Sequence, residues 1–140
     1  MAKVEKESIE RAYNEVREDS SDTSWAILKY DGTSIVLEGT GSDYEQFKAS
    51  FNDEDRKYGF VRMMSGDELS KRAKFVFITW CGKDVSPLKK ARMSVDKSAV
   101  KDVINSFAVE LLASEAEDID EDNIRTLVKK AGGANYGTGN

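Results

Sequence analysis

The sequence predicts an α+β fold, a three-layer α/β/α sandwich whose mixed central sheet is covered by helix pairs on both faces. Three observations predict it. Blocks of helical and strand periodicity follow one another in the order helix, two strands, helix, two strands, helix, strand, helix. Asp31-Gly32 separates two strand-like runs, a strong hairpin signal. "KFVFITW" (74–80) is apolar almost throughout, as a strand is when both faces of its sheet are covered.

Each element has its own signal. Ile9, Ala12, Tyr13 and Val16 recur at i, i+3, i+4 and i+7, which predicts a helix over Glu5–Asp19. "EDSSDTS" breaks that period, and "WAILKY" (25–30) and "TSIVLEG" are the arms of the hairpin. In "GSDYEQFKASF", Ser42 and Glu45 have capping-box spacing, and Tyr44, Phe47 and Phe51 fall on one side of a short helix. "YGFVRMM" (58–64) is a third strand, with Tyr58, Phe60, Arg62 and Met64 on one face and Val61 and Met63 on the other. "SGDELSKR" turns the chain into the apolar fourth strand.

Ser86 is a suitable N-cap and Pro87 a suitable first helical residue for a basic helix that opens "PLKKARM". Ser94 and Asp96 are positions at which that helix either stops and recaps or continues; Val95, Ala99, Val100, Val103 and Ile104 give an apolar stripe in both cases. "SFAVELLAS" is a fifth strand. A last helix is expected over Asp120–Ala131, with Gly132 as C-cap and with Lys129 and Lys130 in its final turn, where the dipole favours cations. Residues 1–131 form the single domain expected, and "GGANYGTGN" (132–140) a flexible tail.

Composition excludes several classes of chemistry. The chain has no histidine and one cysteine, Cys81, so the commonest general base, an internal disulfide and a thiolate zinc site are all missing. There is no phosphate-binding loop, and "GTGSDY" lacks the third glycine of a dinucleotide fingerprint. The acidic run Glu115–Asp122 lacks the spacing and central glycine of a calcium loop and is expected to be solvated. No catalytic residue, metal or cofactor is expected, and no enzyme activity; carboxylates are abundant and none stands out, which leaves a carboxylate-dependent enzyme only as a remote alternative. The start "MAKVEKESIE" is too polar for a secretory signal, and no apolar run approaches the roughly 18 residues of a membrane span, so the cytoplasm is the expected location.

Charge is distributed unevenly. The net charge is −5, yet Ser70–Lys101 holds nine basic and two acidic residues. That stretch carries +7 and the remaining 108 residues −12. A basic patch on an acidic chain suits one acidic protein partner better than nucleic acid, because the rest of the surface repels polyanions. Composition alone also allows a plainer reading, in which Lys71, Arg72 and Lys74 are solvated gatekeepers of an apolar strand and Lys89, Lys90 and Arg92 an ordinary exposed helix face.

Particular residues then resemble the actin-depolymerising-factor homology (cofilin-like) family. They are "AYNEVR" (12–17), "KYDG" (29–32), "FVR" (60–62), "SKRAKF" (70–75), "ITW" (78–80) and "KKAGGANY" (129–136), spread over nearly the whole chain. The resemblance implies a five- to six-stranded mixed sheet between two helix pairs, and binding of filamentous actin by a monomer without nucleotide chemistry. "SKRAKF" and "KKAGGANY" point to one branch of the family, in which the lysine closing the SKRxK run is the key filament contact; here that lysine is Lys74, supported by Lys71 and Arg72. In the wider family the helix after the central strand enters a cleft on actin, which implies Lys89, Lys90, Arg92 and Met93. Relatives in that branch also bind a lipoxygenase through the C-terminal end, which implies Lys129 and Lys130. Depolymerising members begin with a short flexible segment bearing a regulatory serine; this chain has its first serine, Ser8, inside the predicted helix, so strong severing and depolymerisation are not expected. Another partner for the same fold (an actin-branching complex, the lipoxygenase or anionic lipid) is the alternative.

Overall fold

The computed structural model describes residues 1–66 and 71–138. Its strands are β1 (Lys3–Val4), β2 (Trp25–Asp31), β3 (Ser34–Gly41), β4 (Arg56–Ser65), β5 (Arg72–Cys81) and β6 (Val109–Ala113). Its helices are α1 (Lys6–Arg17), α2 (Tyr44–Ala49), α3 (Pro87–Lys101) and α4 (Glu121–Thr138), with a 3-10 helix at Ala116–Ile119. The strands form one sheet in the order β1-β3-β2-β4-β5-β6, antiparallel except where β1 joins β3 and β6 joins β5. The mixed sheet of the sequence reading is present, with β1 as its sixth strand. Two residues are too short to show any period, so β1 has no signature in the sequence.

Alternation along the central strands builds two separate cores. Ala26, Leu28, Tyr58, Phe60 and Phe77 pack against Ile9, Ala12, Tyr13 and Val16 of α1 and Met93 and Val100 of α3. Trp25, Ile27, Val61, Val76, Ile78 and Trp80 pack on the other face, against Phe47 of α2 and Ile124 and Val128 of α4. Strand β5 lies between β4 and β6 and is buried from Val76 to Cys81, as its continuous apolar run requires. Both tryptophans bury their rings and still donate their indole N–H: Trp25 to the Asp43 carbonyl at 2.9 Å, Trp80 to that of Asn52 at 2.7 Å.

Local chemistry sets the connections. Asp31 pairs with Ser34, so the hairpin turn consists of Gly32 and Thr33; Gly32 has φ 61° and Thr33 does not have positive φ. This is the pattern of a turn with glycine at its first central position. The cap of α2 is Asp43, whose carboxylate accepts from the Glu45 N–H at 3.3 Å, and not Ser42 as the spacing suggested. The helix then lies so close to the sheet that a Cβ at Gly59 would come within 2.9 Å of the Phe47 ring. Arg62 closes the far end of α1, donating to the carbonyls of Val16 (3.0 Å), Glu18 (2.9 Å) and Ser21 (2.8 Å). The Val16 carbonyl is one that the helix end leaves free, and the other two fix the turn that follows it.

Two expectations need correction, and one choice the residues left open is resolved. Helix α3 runs without a break through Ser94 and Asp96. Asp96 does not recap it, because its carboxylate is turned inward, where it accepts from the Tyr30 hydroxyl at 2.7 Å and the Ala2 N–H at 2.9 Å. Val95 lies outside the apolar stripe, 57% exposed, while Met93, Asp96 and Val100 face inward. Helix α4 continues to Thr138 instead of capping at Gly132. Lys129 and Lys130 are therefore not in its last turn, and the dipole argument for them falls away. The middle of the predicted turn "SGDELSKR" (65–72), residues 67–70, and the final residues 139–140 lie outside the described residues.

Candidate functional site

The first candidate cluster sits on a projection from the sheet. Strand β2 pairs with β4 only between Lys57 and Val61, and β6 pairs with β5 only from Val76 onward. Beyond those limits Met63 faces Lys74, Met64 faces Ala73 and Ser65 faces Arg72, so these residues form a two-stranded ribbon that outruns its neighbours. Lys71 and Arg72 are exposed and Lys74 is partly buried. Period 2 sets Arg72 and Lys74 on the same face of β5 as Val76, Ile78 and Trp80, the α2/α4 face.

A hollow of about 710 Å³ beside the ribbon is lined by Arg17, Arg62, Arg72 and Arg125, together with Asp19 and Glu121. Most of these charges are already engaged. Arg62 is spent on carbonyls, Arg125 pairs with Glu121 at 2.8 Å, and Arg17 lies over the rings of Tyr13 and Phe75 while donating to the Tyr13 hydroxyl at 3.2 Å. With Arg17, Arg62 and Arg125 engaged in this way, the hollow is poorly equipped as a binding pocket for an anion. Among the described residues no three His, Cys, Asp or Glu side chains group as a metal site.

The second cluster is on α3, on the opposite face of the sheet. Ser86 caps the helix by accepting from the Lys89 N–H at 3.3 Å, and Pro87 occupies the first turn. Lys89, Lys90 and Arg92 are exposed, and no described carboxylate lies within ion-pair distance of them. Met93 does not belong with them. It is 1% exposed, shares the inward face with Asp96 and Val100, and its carbonyl accepts the Tyr58 hydroxyl at 2.8 Å. A partner cannot reach that side chain in the folded protein, so Met93 is a core residue and not a contact.

In its place the helix exposes Leu88 (62%) and Val95 (57%), seven residues apart on its outer side with Arg92 between them. The sequence carried that signal as a second apolar spacing, hidden because Val95 also fits the inward stripe. Tyr30 and Tyr58 hold the inner side. Burial pushes the Tyr58 hydroxyl up to about 12, and it pushes Tyr30 well above its ordinary value, with Tyr58 and the Asp96 carboxylate adding to the effect. Both hydroxyls therefore stay protonated and remain donors at neutral pH.

The remaining cations of the basic stretch are tied down. Glu110 of β6 accepts from Lys101 at 2.7 Å and lies 3.1 Å from Lys97, and Lys83 lies 3.8 Å from Asp53. Partial burial works to raise the Glu110 carboxyl, but the hydrogen bonds from Lys101 and Lys97 outweigh it and hold the group below its ordinary value. The stretch with a charge of +7 therefore separates into two patches. From Lys74 to Cys81 is seven residues of strand, about 23 Å, and the α3 cations lie beyond that end and on the other face. Lys129 and Lys130 are exposed on α4, near neither patch in sequence. The acidic run ahead of α4 is more ordered than a solvated loop. Glu115 and Asp118 form a capping box around the 3-10 helix, and Asp120 pairs with Lys48 at 2.7 Å.

Comparison with known proteins places this arrangement. The model of the family described as cofilin/tropomyosin-type actin-binding protein matches residues 1–129. Rat coactosin-like protein is 47% identical over 134 residues, 96% of this chain and 94% of the relative. The crystal structure of human coactosin-like protein superposes with a TM-score of 0.90 at 42% identity, covering 93% of this chain and 99% of the other. The solution structure of mouse coactosin, described as an actin filament binding protein, matches with a TM-score of 0.80 at 45% identity, covering 99% and 97%. With a six-stranded mixed sheet, four flanking helices and near full-length identity of this order, the chain belongs to the cofilin/tropomyosin-type family of actin-binding proteins, on its coactosin branch.

Proposed function

We propose that the chain binds filamentous actin as a non-enzymatic cytoskeletal regulator, with Lys74 as its principal contact and Lys71 and Arg72 beside it. The observation that carries this reading is the ribbon, which projects a lysine from a central strand of the sheet. A partly buried lysine on paired backbone has less freedom to lose on binding than one on a loop. Actin is acidic, so the ribbon cations serve both for steering and for charge-assisted hydrogen bonds. The exposed side of α3, with Lys89, Lys90, Arg92, Leu88 and Val95, is the second contact. Two patches at opposite ends of β5 and on opposite faces suit a partner with repeated subunits better than a single small one.

Binding without strong severing or depolymerisation is the form of activity proposed. The segment before α1 is tied down, because Lys3 and Val4 pair with β3 and the Ala2 N–H donates to Asp96. A segment held on both sides is a poor flexible arm for engaging a monomer. The proposed location follows the partner, the cytoplasmic actin cytoskeleton. Co-sedimentation of wild type and Lys74→Ala with filaments over a salt series tests the reading. Pelleting of the wild type that declines with salt, and that weakens on substitution with little change in Tm, is expected. Undiminished pelleting of folded Lys74→Ala removes Lys74 from the site; no pelleting of wild type at low salt removes the function. Vesicle flotation in the same salt series distinguishes anionic lipid as the partner.

A further inference from the structure

We infer that Ser86 is a phosphorylation site for a proline-directed protein kinase, and that its phosphate weakens the α3 contact; the second half rests on the filament reading above. The chain has one proline, Pro87, so Ser86 is the only hydroxyl residue directly followed by proline. From Ser86 the sequence reads Ser-Pro-Leu-Lys-Lys, with lysines three and four positions beyond the acceptor. Kinases whose groove accepts proline next to the acceptor commonly select a cation at that distance with acidic groups of their own. Capping accounts for the serine and the proline. It does not account for Lys89 and Lys90, since the helix dipole disfavours cations in a first turn.

The geometry allows access. All five residues from Ser86 to Lys90 are exposed. Ser86 has φ −65° and ψ 152°, so the acceptor itself is already extended, as the following proline requires, and stands outside the helix. Its hydroxyl oxygen accepts from the Lys89 N–H at 3.3 Å, and opening the first turn gives up this bond and the Lys90 N–H to Ser86 carbonyl bond of 2.9 Å. Pro87 has no N–H to lose. In the reaction Oγ attacks the terminal phosphoryl group of ATP: the new O–P bond forms, the bond to the bridging oxygen of ADP breaks, and the hydroxyl proton passes to a base of the kinase.

The product carries a charge of about −2 at the start of α3, where the free N–H groups, the dipole, Lys89 and Lys90 all stabilise it. The helix therefore stays folded while its outward cations lose their pull on an acidic partner.

The test treats the whole folded chain with a purified proline-directed kinase and ATP, maps the phosphate by mass spectrometry, and compares pelleting of both forms with filamentous actin at low salt. One phosphoryl group on Ser86 is expected, with filament affinity on the order of tenfold weaker and Tm nearly unchanged. Ser86→Asn keeps a good N-cap and should take up no phosphate while pelleting like wild type. Absence of phosphate from Ser86, or equal incorporation into Ser86→Asn, overturns the site. Phosphorylation with unchanged pelleting overturns the regulatory half. If unmodified protein does not pellet, the filament reading and the regulatory half fall together, and the mass spectrum alone decides the site.

Discussion

The β4–β5 ribbon and helix α3 each present three cations, Lys71, Arg72 and Lys74 on one and Lys89, Lys90 and Arg92 on the other, but they support them differently. On the ribbon a cation-bearing strand is held by a continuous ladder from Arg56–Cys81 to Ser65–Arg72, and Lys74 is partly withdrawn from water. On α3 the cations are exposed on long side chains around the apolar Leu88 and Val95, and the helix is fixed from beneath by Met93, Asp96 and Val100. Equal charge on the two surfaces therefore does not mean equal energy. A pre-positioned, partly desolvated cation contributes to the lifetime of a complex, whereas exposed cations act mainly on encounter and are screened by salt.

Met93 lies under the α3 surface and is enclosed by the core. Met93→Ala should lower stability by about 2–4 kcal/mol through the cavity it leaves, read as a fall in denaturation midpoint, while protein that remains folded still pellets with filaments. A stable Met93→Ala protein with lost binding would restore Met93 to the surface site. Next in size is Lys74→Ala, expected to cost about 2 kcal/mol of filament affinity in the co-sedimentation assay with Tm nearly unchanged. The double change Lys89→Ala with Lys90→Ala should cost about 1 kcal/mol, and that loss should vanish at high salt sooner than the loss at Lys74. Because the patches are about 20 Å apart or more, the two effects should add in a triple variant; strong coupling would show that one partner residue spans both.

The smallest effect concerns Glu110. Its folded carboxyl lies below the ordinary value, so its ion pairs stabilise the fold above the unfolded carboxylate range and lose that contribution as pH falls through the depressed folded value. With all three side chains about a third exposed, the contribution is below about 1 kcal/mol. Glu110→Gln should flatten the acid limb of a Tm-against-pH profile by that amount and leave filament binding unchanged. Weakened binding would mean that Lys97 and Lys101 also face the partner.

Much of this architecture was legible in the residues. The burial of β5 followed from its apolar run, and the two faces of β4 from alternation, with Tyr58 and Phe60 in one core and Val61 and Met63 in the other. The hairpin followed from Gly32, the start of α3 from Ser86 and Pro87. The wrong readings and the open one share a cause. Asp43 displaced Ser42 as cap because neighbouring oxygens compete for the same N–H. Asp96 kept α3 unbroken because Tyr30 and Ala2, distant in sequence, supply the partners its carboxylate needs. Gly132 signals a helix end, yet α4 runs on to Thr138, so a local propensity is overridden.

By itself the sequence determined the order and type of the elements, the absence of histidine chemistry, and the presence of a cationic cluster beside the most apolar strand. These are local properties, set by periodicity, capping chemistry and composition. Tertiary structure alone decided that the cluster rides on a ribbon outrunning its neighbours, that the α3 cations lie about a strand length away on the other face, and that Met93 is enclosed while Leu88 and Val95 are not. Period tells which residues share a side of one element. Which side meets the sheet, and which strand ends before its neighbour, depends on partners tens of residues away.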